Sequence, residues 1–212
     1  MGQHKKFNYE SIKAVNRDIR ELGLDIPVSY DFGVLGRPVQ IGSRIAPNAM
    51  GIHPMEGCDS TSDGSPGELT ARRYQRLARG GAGLVWFEAT AVVKEGRANP
   101  RQLFIYKDNQ KDFEKLLKDF LNTAQREYGT SFRPYTVLQL THSGRYSKPG
   151  DKPQPVIAAR NPYLDKNIPE DYPVISDDAL DELEDRFVDA AQMAAEVGFD
   201  AVDIKSCHRY LC

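Results

Sequence analysis

Apolar residues along this chain recur first at helical spacing and then in alternating strand and helix registers. Near the start, Tyr9, Ile12, Val15, Ile19 and Leu22 fall three or four positions apart before Gly23, which predicts an amphipathic helix with a glycine stop. Val34 and Leu35, the turn Gly36-Arg37-Pro38, then Val39 and Ile41 predict a short hairpin, followed by a strand through Arg44, Ile45 and Ala46. Ser65-Pro66-Gly67-Glu68 offers an N-cap serine, a proline at the first helical position and a glutamate for a capping box, opening a helix that stops at Gly80-Gly81. Gly83-Leu-Val-Trp-Phe87 is a nearly all-apolar strand. Phe113, Leu116, Leu117, Phe120, Leu121 and Ala124 form the cleanest helical stripe, ended by Gly129. Tyr135, Val137, Leu138 and Leu140 predict a third strand. Ser176 then caps a helix carrying Leu180, Leu183, Phe187, Ala190, Ala191 and Ala194, Gly198 ends it, and Ala201 to Ile204 form a fourth strand.

Strands apolar on both faces, each followed by a helix, indicate a parallel sheet, either doubly wound or a (β/α)8 barrel. A closed barrel needs eight strands and typically about 250 residues, so a barrel reading makes these 212 residues its first four strands. The expected division is an N-terminal helical extension over 1–33 and, over 34–212, a hairpin and half barrel. An open sheet edge of this kind predicts that the isolated chain pairs with a partner or forms a homo-oligomer.

Composition narrows the function classes. With 28 Lys+Arg against 30 Asp+Glu the net charge is -2, which offers no positive field for nucleic acid. Three cysteines without CxxC or metal-ligand spacing point to a reducing compartment and no metal site. No signal core and no run of about 18 apolar residues is present, so the expectation is a soluble, cytoplasmic protein with no membrane partner.

In parallel α/β folds the reactive groups collect beyond the carboxyl ends of the strands. Those positions are Asn48 to His53, Glu88 to Thr90, Gln139 to Arg145 and Lys205 to Tyr210. Gln139 lies inside an apolar run, where its amide needs partners from the backbone or from a ligand with donors and acceptors, such as a flavin ring. Thr141-His142-Ser143-Gly144-Arg145 could hold an anion or a carbonyl oxygen, and the proline-rich segment from Tyr146 to Pro173 reads as a lid or a disordered loop. The densest constellation is Asp203-Ile-Lys-Ser-Cys-His-Arg-Tyr210. Alternation places Asp203 and Lys205 on one face, with His208 and Tyr210 on the turn beyond. Histidine or lysine can hydrogen-bond a substrate carbonyl and tyrosine can donate a proton, whereas the bland reading is a solvated turn with an Asp203/Lys205 pair.

At four strand ends the sequence resembles the Old Yellow Enzyme family of FMN-dependent NAD(P)H:flavin oxidoreductases and ene-reductases. The motifs are Ser43-Arg-Ile-Ala-Pro-Asn-Ala-Met50, Gly83-Leu-Val-Trp-Phe-Glu-Ala-Thr-Ala91, Leu138-Gln-Leu-Thr-His-Ser-Gly-Arg145 and Gly198-Phe-Asp-Ala-Val-Asp-Ile-Lys-Ser-Cys-His-Arg-Tyr-Leu211. The resemblance implies FMN as cofactor and NADH or NADPH as reductant. Ala49, Met50, Gly51 and Ala89 would line the flavin ring and Gln139 would bond its pyrimidine edge. Lys205 and His208 would hold the substrate oxygen, and Tyr210 would be the proton donor. The acceptor would be an activated alkene of enone or enoate type, or a quinone-like molecule, with His53, His142 and Arg145 as further substrate-side candidates.

Two positions depart from the family. Lys205 stands where the family usually has histidine, and Gly51 where threonine or cysteine is frequent. The family's FMN phosphate site comes from later strands, which implies a missing C-terminal half or a partner chain. Two rivals stand beside this reading: a half barrel serving only assembly or folding, and a Schiff-base aldolase using Lys205.

Overall fold

A computed structural model describes residues 6–212, and the chain divides after Val34 into two compact units. In the first, α1 (Ile12–Glu21) is capped by the Ser11 hydroxyl, which accepts from the Ala14 amide, and it gives way to Gly23 in the left-handed region at φ +63°. Tyr9 donates to the Asp18 carboxylate at 2.8 Å.

The second unit opens with a hairpin displaced from the predicted one. Val34 and Leu35 lie in a single 3-10 turn, Gly33–Gly36, and pairing is instead between β1 (Val39–Ile41) and β2 (Arg44–Ala46), antiparallel, with Val39 opposite Ala46. Gly42 turns this hairpin at φ +56°, a conformation that costs glycine nothing, and Gln40 donates to its carbonyl at 2.7 Å. The first parallel strand is therefore not 44–46 but the two-residue β3 (Gly51–Ile52).

β3, β4 (Leu84–Ala91), β5 (Tyr135–Thr141) and β6 (Ala201–Ile204) form one parallel sheet in sequential order, joined by α2 (Glu68–Arg79), α3 (Gln110–Tyr128) and α4 (Asp177–Val197). Crossovers in parallel sheets are right-handed, so a sequential order puts every helix on the same face. A doubly wound sheet has to reverse its strand order, and this one does not. The fold is a four-stranded arc of a β/α barrel.

One core holds the layers together. Val85 and Phe87 of β4 and Leu138 and Leu140 of β5 pack with Tyr74 and Ala78 of α2, Phe113, Leu117 and Phe120 of α3, and Ala190 and Ala194 of α4. Phe87 is its centre, stacked on Tyr74 at 4.2 Å between ring centroids and edge-on to Phe120 and Phe199. Alternation sends Trp86, Val137, Gln139 and Asp203 to the opposite, inner face.

Of the predicted helix starts, Ser176 caps α4 by accepting from the Ala179 amide at 3.2 Å, and Gly198 ends it at φ +105°. Ser65 does not cap α2. Its hydroxyl donates to Asp63, and the helix begins after Gly67, whose amide donates to the Thr70 hydroxyl.

At the amino ends of the strands, Asp200 is a second fixed point, its side chain 1% exposed. Its carboxylate accepts from Arg44 at 2.7 Å, from Arg133 at 3.3 Å and from the Thr136 amide at 2.8 Å, which ties β2, β5 and the turn into β6. Replacing Asp200 by Ala leaves the buried Thr136 amide and hydroxyl without their acceptor and should cost about 1–3 kcal/mol in urea unfolding. Arg44→Ala, at the exposed side of the cluster, should cost under about 1 kcal/mol.

Candidate active site at the carboxyl ends of the strands

Four loops leave the carboxyl ends of β3 to β6, and a network of charges fixes the first of them. Glu88, near the end of β4, is 1% exposed yet carries a carboxyl group. Arg73 of α2 donates to it at 2.6 Å and the Gly57 amide at 2.8 Å, while the Tyr74 hydroxyl lies 3.3 Å away and accepts from the Glu88 amide at 2.8 Å. Burial pushes the Glu88 carboxyl above the usual carboxylate range, with the Arg73 charge opposing it. Arg73 also bonds Asp59 at 2.9 Å and the Met55 carbonyl at 3.4 Å. The backbone is thus held on both sides of Glu56, by the guanidinium at the Met55 carbonyl and by Glu88 at the Gly57 amide. Gly57 is required for that grip, because a Cβ there would lie 2.1 Å from the Arg73 guanidinium.

Glu56 reaches across the sheet end to Lys205. The Lys205 ammonium donates to it at 3.0 Å, with side-chain exposures of 5% for Lys205 and 21% for Glu56. On its other side the ammonium lies 4.6 Å from the centroid of the Tyr210 ring, a cation–π distance. The anticipated Asp203/Lys205 pair does not form; Asp203 instead accepts from the Gln139 amide at 2.7 Å. His208 is exposed, with its ring 6.0 Å from that of Tyr210, and both His208 and Arg209 adopt the left-handed region at φ +60° and +59°. Burial first, then the Glu56 carboxylate, raises the Tyr210 hydroxyl above an ordinary phenol, so it keeps its proton.

The remaining sequence candidates take other places. Ala49, Met50 and Gly51 run along the exposed edge into β3, with the Met50 carbonyl accepting from Leu84. Ala89 is fully buried, its carbonyl accepting from Gln102. His53 is exposed just past β3.

Arg145 is a strut. It pairs with Asp165 of the proline-rich loop and donates to the Arg209 carbonyl at 3.3 Å. Hydrogen bonds tie parts of that loop together: the Arg160 guanidinium donates to the carbonyls of Pro169, Glu170 and Tyr172, and Tyr172 to that of Pro155.

His142 does not meet Lys205 or His208. It is 2% exposed, accepts from the Gly144 amide at 3.0 Å, and lines a cleft of about 400 Å³ on the helix side with Glu95, Ile157 and Leu183. Sequence reasoning missed Glu56 and Arg73, and it left Glu88 without a role. The signal for Glu88 was present, as an acid in the apolar run Leu-Val-Trp-Phe-Glu-Ala-Thr. Nothing in the sequence marked Glu56.

Residues 35–212 match the family model of the NADH:flavin oxidoreductase / NADH oxidase family, and the chain belongs to that family. The family's cofactors are FMN and a reduced nicotinamide. The chain is 31% identical over 176 residues to an NADPH dehydrogenase of Listeria monocytogenes serotype 4b (strain CLIP80459), covering 82% of this chain and 47% of that one. Among solved structures, the Old Yellow Enzyme homologue from Zymomonas mobilis superposes with a TM-score of 0.67 at 24% identity, over 84% of this chain and 49% of the other. Morphinone reductase in complex with tetrahydroNAD gives 0.64 at 24%, over 84% and 50%. These likenesses confirm the barrel fold, and the chain spans about half the length of the relatives it matches.

Burial holds His142 neutral, its pKa pushed down to about 4 from the ordinary 6.5. The folded state therefore binds fewer protons than the unfolded one between these values. The stability this contributes is complete above pH 6.5 and is lost as pH falls toward 4, by up to about 3 kcal/mol. Urea unfolding from pH 7 to pH 4 should show the loss in the wild type. In His142→Gln, whose side chain can still accept from Gly144, the corresponding part of the pH slope should vanish.

Proposed function

We propose that residues 35–212 form the ring-binding and acceptor-binding portion of an FMN-dependent oxidoreductase, which takes hydride from NADH or NADPH and passes it to an activated alkene or a quinone-like acceptor. The observation that carries this reading is that the carboxyl end of one sheet holds Gln139 against Asp203 and Lys205 against the Tyr210 ring, with His208 on the same turn as Tyr210. The inner face of the sheet also holds polar atoms in want of partners. Trp86 Nε1 and Thr141 Oγ1 are buried without a hydrogen bond among the described residues, and alternation places both on the side of Gln139.

The residues present suit a flavin ring. Gln139 donates one amide hydrogen to Asp203 and keeps its carbonyl oxygen and second hydrogen for a donor–acceptor edge. A Cβ on Gly51 would meet nothing nearer than Leu84 Cδ2 at 3.5 Å, so the β3 edge leaves room beside Ala49 and Met50. FMN, when bound, supplies reversible two-electron hydride chemistry. Lys205 and His208 would donate to the carbonyl oxygen of the acceptor and stabilise the negative charge that grows there as hydride reaches the β-carbon. Tyr210, which retains its proton, would protonate the α-carbon. Arg145 and His142 hold the surrounding loops, and the rest of the barrel, from the same polypeptide or a partner chain, would supply the phosphate site. A Schiff-base role for Lys205 draws less support, since its Nζ is engaged with Glu56 at 3.0 Å and that reading gives no task to Gln139 or to the unpartnered atoms of the inner face.

A form carrying the whole barrel should purify yellow with one FMN per chain, while these 212 residues alone bind flavin weakly; retention of FMN by the 212 residues through gel filtration would contradict this. In the flavin-loaded protein, His208→Ala should weaken phenol or enone binding by about 1–3 kcal/mol in a spectral titration. Reduction of the flavin by NAD(P)H should suffer less than reduction of the alkene.

A further inference from the structure

Lys205 brings a full positive charge to the place where the acceptor oxygen is to bind, and the charge is already answered. Its ammonium, nearly buried, donates one hydrogen to Glu56 at 3.0 Å, and the Tyr210 ring covers another side at 4.6 Å. No other side-chain acceptor is bonded to Nζ among the described residues, so its remaining hydrogens have no side-chain acceptor there. Glu56 itself is not free to swing away with its backbone. Arg73 holds the Met55 carbonyl and Glu88 holds the Gly57 amide, so the residues on either side are anchored to α2 and β4.

We propose that Glu56 is a specificity-determining residue, which keeps this end of the site electrically balanced so that it accepts neutral carbonyl-activated alkenes and rejects carboxylates. The inference rests on the oxidoreductase reading above and deepens it. A neutral carbonyl oxygen needs only the remaining N–H groups of Lys205 and a donor from His208. A carboxylate placed on the same ammonium would face the Glu56 carboxylate across it, with Asp203 two residues away on the same strand face, and like charges this close repel strongly in a partly buried site. The pair selects by repulsion as well as by attraction.

Two measurements test this. In the 212-residue chain, acylation of Lys205 by the N-hydroxysuccinimide ester of acetic acid, followed by peptide mass spectrometry, should run several-fold faster in Glu56→Gln than in wild type, with Glu56→Asp close to wild type. Equal labelling would show that the pair does not hold in solution and would overturn the proposal, whatever the fate of the flavin reading. In the flavin-loaded protein, the ratio of kcat/KM for a 2-enoate to that for a cyclic enone should rise at least ten-fold in Glu56→Gln. An unchanged ratio would overturn the role in specificity while leaving the oxidoreductase reading intact. Absence of alkene reduction by every variant, wild type included, would overturn the functional reading and the specificity with it, even where the labelling difference persisted.

Discussion

The ion pair between Arg73 and Glu88 is the contact on which the carboxyl end of this sheet depends. A carboxylate taken out of water needs both a countercharge and hydrogen bonds, and Glu88 has Arg73, the Gly57 amide and the neighbouring Tyr74 hydroxyl. Because those partners come from α2 and from the loop after β3, satisfying one buried acid fixes three elements against each other. Asp59 draws the same guanidinium toward the loop. The outcome is a loop without regular structure whose backbone is nonetheless set on both sides of Glu56, and through Glu56 the position of Lys205 is set as well.

Sheet topology decides what this precision can serve. Sequential parallel order places every strand's carboxyl end on the same rim and all three helices on one face, which leaves the other face to Trp86, Gln139 and Asp203. Polar side chains on an inner sheet face bring cost without benefit unless something there bonds to them. Gln139 and Asp203 satisfy each other in part, whereas the Trp86 indole N–H and the Thr141 hydroxyl have no partner among the described residues. A core built for stability alone would carry apolar residues at such positions, as the helix-facing Phe87, Leu138 and Leu140 do.

Much of this was legible in the sequence because it is written in local period. The helical stripe from Phe113 to Ala124, the glycine stops at Gly129 and Gly198 and the apolar strands each report a burial pattern that a neighbouring residue does not alter. What the pattern could not show was partner choice. Asp203 and Lys205 share a face and look paired, but one residue meets Gln139 and the other meets Glu56, 149 positions earlier. Pairing at that separation is set by topology and by the Arg73 grip on the loop, neither of which leaves a periodic trace. The hairpin was misplaced because Gly36-Arg37-Pro38 was read as its turn, whereas Gly42, at φ +56°, makes the turn between the paired strands. His142 followed the same logic as Ser65. A polar residue in a promising segment was taken up by nearby backbone, the Gly144 amide in one case, and by the Asp63 carboxylate in the other.

The turn after β6 shows how the parts converge. His208 and Arg209 both sit in the left-handed region, which costs a non-glycine residue on the order of 1 kcal/mol or more, so the surroundings have to enforce it. They do so from three directions. Leu211 donates its amide to the His142 carbonyl, Arg145 donates to the Arg209 carbonyl, and Lys205 draws the Tyr210 ring onto its ammonium. Gly144 makes the approach possible: at φ +57°, its missing side chain would lie 2.5 Å from the Leu211 amide nitrogen. The buried histidine, the strut arginine and the glycine between them therefore share one task. They hold in place the strained turn that carries His208 and sets Tyr210 against Lys205, which is how the β5 loop bears on this end of the sheet although its own histidine faces away from it.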